Sequence, residues 1–319
     1  MNAEELNNMR LHYSAKPSDF LDDSLIDFGT NIARKILHSP SLGVANCFCT
    51  WSDLLGFGKS FISENWQLNI NERKQICERI KTAHDIVLYY SHSHERIFIL
   101  NDGAARVYTI SKGEKGISQF RYLTHFIKNS IQTHMNINGV EYCNSAPGCR
   151  TVLAFGECTR YMDSSAHFDD YVLNYTKPNI NEMSSIAKEN GNFQVVYNPT
   201  EFQMNSAFSK SFILDEAGSS EGLAGPHFYV DQSVIDAIFE YSKIIGWHVD
   251  EQQDGEHYKL FVHYNKNKGE RIPMGFQFSL PIQVDTRGWQ TKVYRLQRFY
   301  PDDVPLNEDF YFDLDCVYQ

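Results

Sequence analysis

Residues 46–58 read Asn46-Cys47-Phe48-Cys49-Thr50-Trp51-Ser52-Asp53-Leu54-Leu55-Gly56-Phe57-Gly58. The continuous apolar run predicts a central β-strand, with Asp53 at its end and a glycine-bounded turn after it. A second run, Arg96-Ile97-Phe98-Ile99-Leu100-Asn101-Asp102, again ends on an aspartate and turns at Gly103-Ala104. Asp is depleted in strands, and a carboxylate leaving a buried strand needs a counter-charge, hydrogen bonds or a metal. If the two strands are neighbours, their tips hold divalent metal between them. The alternative for each residue is a turn or helix-cap aspartate, since Asp-Gly is a common turn.

Working outward, Ser18 to Leu37 reads as a helix capped at Ser18, after a polar stretch at 1–16. Lys59 to Trp66 predicts a short helix, and Asn71 opens a longer one. Its Ile76, Ile80, Ala83, Val87 and Tyr90 share one face. The strand ending at Asp102 folds back as a hairpin into 104–110. Ile117, Phe120, Leu123, Ile127 and Ile131 mark a further helix, and a strand follows at 149–157. Helices are expected at 201–218, with Thr200 as cap, and at 232–245, with a strand at 225–231 between them. Beyond Gly246, alternating Tyr258, Leu260, Val262 and Tyr264, then Met274, Phe276, Phe278 and Leu280, then 289–300, read as antiparallel strands. The fold class is therefore α+β: a mixed or antiparallel sheet covered by helices, with a C-terminal antiparallel β extension. The expected divisions are 1–44, a helical segment; 45–245, the catalytic domain; and 246–319, the extension.

Composition bounds the partners. The 319 residues are 42% hydrophobic, enough for a core, with a formal net charge of -11. That balance argues against duplex nucleic acid or an anionic membrane as partner, because both select a basic surface. Seven cysteines, an odd number without a secretory leader, fit reduced thiols in a cytoplasmic protein. Cys47 and Cys49 read as small apolar strand residues. His92-Ser93-His94-Glu95 reads as a polar loop rather than a metal cluster, and Asp163, Asp169 and Asp170 as an acidic loop. Trp247 and Trp289 are read as core or dimer surface, and 218–225 as a connection, with an active-site flap as the alternative for the same stretch.

Ser52-Asp53-Leu54-Leu55-Gly56-Phe57, with a second aspartate in a hairpin 49 residues on, resembles the class III nucleotidyl cyclase catalytic domain over roughly residues 45–235. The resemblance implies two Mg²⁺ or Mn²⁺ ions per site, held by Asp53, Asp102 and a main-chain carbonyl near Leu54. It implies that Gly56, Phe57 and Gly58 approach the β- and γ-phosphates. It also implies a homodimer in which metal aspartates from one subunit meet transition-state groups from the other. Asn205 matches the ribose-orienting position. The arginine expected four residues later is Ser209, and Lys210 stands one residue further, about 100° around the helix. Lys210 is thus either the catalytic cation or a solvated lysine, and Arg150 is the alternative cation.

The base-reading positions of purine cyclases fall on Phe98 and Phe202, which offer a purine edge no hydrogen bond. The stretch Asn205-Ser206-Ala207-Phe208-Ser209-Lys210-Ser211-Phe212-Ile213-Leu214-Asp215-Glu216-Ala217-Gly218, leading into Gly225-Pro226-His227-Phe228-Tyr229-Val230-Asp231, is similar to the pyrimidine cyclases of Pycsar antiphage defence. That similarity implies UTP ahead of CTP as substrate, a cyclic UMP or cyclic CMP product, and a separate effector that responds to it. The rival readings are a purine cyclase with a rearranged pocket and a cyclase-like module that binds nucleotide without turnover.

Overall fold

The computed structural model describes residues 43–92, 95–110, 117–160, 202, 204–263, 271–272, 274–301, 304–305 and 311–315. The chain forms two compact units. One comprises Met1–Val44 and Thr159–Met204, the other Ala45–Cys158 and Asn205–Gln319. The expected helix at 18–37 and the loop containing Asp163, Asp169 and Asp170 lie outside the described residues, as do Ser93 and His94.

In the larger unit the elements run β1 (Gly43–Leu54), α1 (Phe57–Ser63), α2 (Ile70–Tyr89), β2 (Glu95–Leu100), β3 (Gly103–Thr109), α3 (Ile117–Cys143), β4 (Cys149–Arg160) and α4 (Ser206–Ala217). There follow a 3₁₀ turn (Gly218–Glu221), β5 (Phe228–Asp231), α5 (Gln232–Ile244), β6 (His248–Asp254), β7 (His257–His263), β8 (Arg271–Ile272), β9 (Met274–Ser279), β10 (Ile282–Thr286), β11 (Trp289–Tyr300), β12 (Val304–Pro305) and β13 (Phe312–Asp313). An eleven-stranded sheet has the order β2-β3-β1-β4-β5-β11-β9-β7-β6, with β10 and β13 also paired to β11. The α+β expectation holds, and the sheet is mixed because β4 and β5 are parallel while β1–β3, β2–β3 and β11–β5 are antiparallel. The C-terminal strands extend the same sheet through the β5–β11 ladder, and 289–300 is a strand over the expected span.

Several boundaries differ from the sequence reading, each for a local reason. The longer helix starts at Ile70 because Asn69 caps it: its side chain accepts from Asn71 and Glu72 N–H groups, and the Glu72 carboxylate returns to the Asn69 N–H. The helix expected from 201 begins only at Ser206. Asn205 has extended backbone and accepts from the Phe208 N–H at 2.9 Å, while Met204 sits in the left-handed region at φ 48°. The hairpin strand stops at Leu100, and Asn101 at φ 54° makes the turn, so Asp102 is a turn residue.

β1 is buried on both faces, as its unbroken apolar run requires. Cys47, Phe48 and Cys49 are fully inaccessible. Phe48 packs into the main core with Tyr108, Phe126, Ile127, Leu153 and Phe228, beneath α3 and α5. Against the other face lies α4, whose Ala207, Ser211, Leu214 and Asp215 are buried. Gly156 on β4 lets α4 approach, since a Cβ there would lie 2.3 Å from Ser206 Oγ and 2.7 Å from the Ala207 nitrogen. Gly139, within α3, has open space around its Cβ position.

These two glycines give opposite expectations. Gly156→Ala forces the start of α4 off β4 and costs about 1–3 kcal/mol, whereas Gly139→Ala stabilises α3 by about 0.5–1 kcal/mol. Urea unfolding midpoints of the two variants against the parent check both signs.

Candidate active site

Antiparallel pairing of β1 with β3 sets Asp53 opposite Gly103, the residue after Asp102, and the Leu54 N–H donates to the Asp102 carbonyl at 3.2 Å. The two aspartates chosen from sequence therefore stand at adjoining strand ends. Asp102 is the turn residue that the alternative reading described and a neighbour of Asp53 as well; the two roles are compatible. The Asp53 carboxyl is pushed up to about 7, first by burial and then by the charges of Asp215 and Asp102, against the lowering effect of Arg150 and Arg79. Asp102 is raised by burial and lowered by its own main chain, Arg79 and Asn101. Burial is the first cause of the rise at both carboxyls, and at Asp53 the nearby Asp215 charge adds more than that of Asp102.

The loop after Asp53 is tethered on both sides. The Leu55 N–H donates to the Gly148 carbonyl at 2.8 Å, and Arg79 Nη2 donates to the Leu55 carbonyl at 2.8 Å. Arg79 is held in turn by Glu141 on α3 through Nε and Nη2. Gly56 adopts φ 68°, a conformation costly for any residue with a Cβ, and begins α1; Phe57 is buried and Gly58 has open space around it. Leu54 is buried beside Ala83, Val87 and Ile137.

Phe98 is paired with Ala105, which is itself paired with Trp51, so Phe98 projects on the same sheet face as Trp51 and Asp53. Arg150, one residue into β4, lies close enough to bias Asp53 but is already engaged. Its Nε donates to Asp215 Oδ1 at 2.5 Å, one terminal nitrogen to the Leu223 carbonyl at 3.0 Å and the other to the Asp215 carbonyl at 2.7 Å.

Asn205 and Lys210 are elsewhere. Asn205 is buried, caps α4, and accepts from Cys47 Sγ at 3.4 Å. Cys47 precedes Asp53 by six strand residues, about 20 Å of extended chain. Lys210 Nζ donates to the Phe155 carbonyl at 2.9 Å and lies 6.0 Å from the Trp289 ring centroid. Phe202 belongs to the smaller unit and is buried.

Sequence reading did not single out Asp215, Trp51 or Arg79. Asp215 carried a signal, an acidic residue on the α4 face that also bears Ala207, Ser211 and Leu214. Arg79 lies on the α2 stripe between Ile76 and Ala83. Trp247 packs edge-on against Phe120 at 4.7 Å, within the core. The 218–225 stretch is a connection whose Leu223 is fully buried.

No protein-family model and no curated protein matches the chain. Among solved structures it is similar to the crystal structure of the adenylyl cyclase CyaB from P. aeruginosa, with 10% identity, 80% of this chain and 94% of that chain covered, and a TM-score of 0.36. It is also similar to the crystal structure of the guanylyl cyclase Cya2, with 9% identity, coverage of 85% and 98%, and a TM-score of 0.41. Likeness at this level carries no information on what this chain binds. Among the described residues no helix is long and apolar enough to cross a membrane.

The raised Asp53 carboxyl has a definite pH signature. Between the ordinary carboxylate range and about 7, the unfolded chain has released a proton that the folded chain keeps. Metal-free stability therefore falls as pH rises through that window and levels off above it. Asp53→Asn makes the slope shallower, leaving the smaller share from the raised Asp102 and Asp215 carboxyls, and at pH 8 without divalent ions it melts higher than the parent by roughly 2–6 °C. Differential scanning calorimetry from pH 4 to pH 8 checks slope and offset together.

Proposed function

We propose that the chain is a metal-dependent nucleotidyl cyclase that converts a pyrimidine nucleoside triphosphate, UTP ahead of CTP, to the 3′,5′-cyclic monophosphate and pyrophosphate. The observation that carries this reading is the register that seats Asp53 and Asp102 at adjoining strand ends. Among the described residues no group of three or more His, Cys, Asp and Glu is placed so that it could hold a metal ion. Two carboxylates suit an ion that keeps several waters and takes phosphate oxygens as its remaining ligands, which is how Mg²⁺ is commonly held.

Bound there, Mg²⁺ or Mn²⁺ ions supply positive charge to the triphosphate and lower the pKa of the ribose 3′-hydroxyl. Asp53 and Asp102 would hold them, with a main-chain oxygen near Leu54. Gly56, Phe57 and Gly58 form the turn that the β- and γ-phosphates approach. The 3′-oxygen attacks the α-phosphorus and pyrophosphate departs. Phe98, on the Asp53 face, gives the base an apolar neighbour in place of a hydrogen-bond partner. A purine edge buried there unpaired costs about 1–3 kcal/mol, which counts against purine recognition of the usual kind.

Asn205 and Lys210 fit the ribose and transition-state roles only if a second copy presents them, because their own strand separates Asn205 from Asp53 by about 20 Å. That separation supports a homodimer with shared sites. Arg150 is tied to Asp215 and Leu223 within its own subunit. In this reading residues 45–245 are the catalytic part and 246–319 serve sensing or dimer control. The cyclic product acts on a separate effector in antiphage defence.

Incubation with Mn²⁺ and each of the four triphosphates tests the proposal. Cyclic UMP or cyclic CMP is expected from the parent, falling to background with Asp53→Ala or Asp102→Ala. Product from ATP or GTP overturns the choice of base, and no product from any of the four overturns the activity. Mixing inactive Asp53→Ala with inactive Asn205→Ala restores roughly a quarter of the parent turnover, since half the exchanged dimers carry one intact site of two.

A further inference from the structure

Trp51 stands two residues before Asp53 on the same strand face and is 4% exposed. Its indole occupies the space above Gly103: a Cβ on that glycine would lie 2.3 Å from Cζ2 and 2.5 Å from Cη2 of the ring. Gly103 is at once the residue following Asp102 and the register partner of Asp53. One ring therefore touches the hairpin that carries one carboxylate and belongs to the strand that carries the other. The indole is fixed from behind. Its Nε1–H donates to Asp215 Oδ2 at 3.1 Å, and Phe208 and Phe212 meet it edge-on at 6.0 and 5.2 Å. Asp215 is itself clamped by Arg150, which closes on the Asp215 side chain, the Asp215 carbonyl and the Leu223 carbonyl.

We infer that Trp51 is a positioning residue that sets the spacing of the Asp53 and Asp102 carboxylates, and that the buried Arg150–Asp215 pair holds its indole in place for that purpose. This rests on the metal reading proposed above. The acceptor that the buried indole N–H requires is here an ion-paired carboxylate, and the glycine beneath its ring lies at the metal hairpin. The fourfold contact of indole with Gly103, Asp215, Phe208 and Phe212 leaves the ring one position. The hairpin can approach β1 no closer than that ring allows. Groups that orient metal ligands typically alter metal affinity by 10–100-fold when removed.

Mn²⁺ titration calorimetry on the full chain, with folding followed by circular dichroism, tests the inference without relying on turnover. Trp51→Phe keeps an aromatic ring but drops the N–H and the outer atoms over Gly103, and is expected to weaken Mn²⁺ binding about tenfold. Asp215→Asn leaves every ring in place and is expected to weaken it similarly, with the double variant no weaker than either single one. Gly103→Ala weakens binding more than Trp51→Phe does, and adding Trp51→Phe to it restores affinity toward the Trp51→Phe level because the colliding atoms are gone. Parent-like affinity in both Trp51→Phe and Asp215→Asn overturns the inference, as does strict additivity of Trp51→Phe with Gly103→Ala. If Gly103→Ala fails to fold, the other two variants still decide. A parent chain that binds no Mn²⁺ overturns the metal reading itself and the inference with it, a failure visible before any variant is made.

Discussion

The register of β1 against β3 is the constraint on which the site depends. Side chains alternate across a strand, so a slip of one residue would send Asp53 to the face under α2 and α3 and bring Ser52 or Leu54 in its place. Three features hold the register as found: the Leu54–Asp102 main-chain bond, Gly103 beneath the Trp51 ring, and the left-handed turn at Asn101. Two carboxylates at one sheet end repel. Arg79 and Arg150 stand near enough to offset part of that cost while bonded to Glu141 and Asp215 of their own, so the ends of β1 and β3 remain a place where cation charge is favoured.

Behind this end the sheet is stiffened by a buried polar chain. Ser52 bonds Thr151, Thr151 bonds His134, and the Asn138 amide both donates to the Cys149 carbonyl and accepts from its N–H. Burial pushes His134 down to about 3, so it stays neutral and serves as a hydrogen-bond link. Because Gly148 carries the carbonyl that receives the Leu55 N–H, Asn138 on α3 fixes the loop that follows Asp53. A buried network in which each member is satisfied confers rigidity beyond the sum of its bonds. Nearby, Arg106 and Glu95 form a buried ion pair joining β3 to β2.

The elements were legible where periodicity was strong and silent where tertiary partners decided. The unbroken run 46–53 and the alternation in 274–280 each point to one kind of strand, and both strands formed. α4 starts later than Thr200 as a cap predicts, because Asn205, closer to the apolar run and preceded by a left-handed Met204, does the capping. The aspartate pair was legible because Asp at a strand end is expensive without a reason. Arg150 was noticed as a cation, yet no sequence pattern reveals that Asp215, 65 residues later, neutralises it. The same holds for Trp51: its proximity to Gly103 exists only in the sheet.

The proposed activity requires one cluster of divalent ions shared by side chains from two strands. The direct measurement is an anomalous difference map from crystals grown or soaked with Mn²⁺. Density bridging the Asp53 and Asp102 carboxylates is expected. Mn²⁺ density bound by one of them alone, or located at another part of the molecule with this strand end empty, would contradict it.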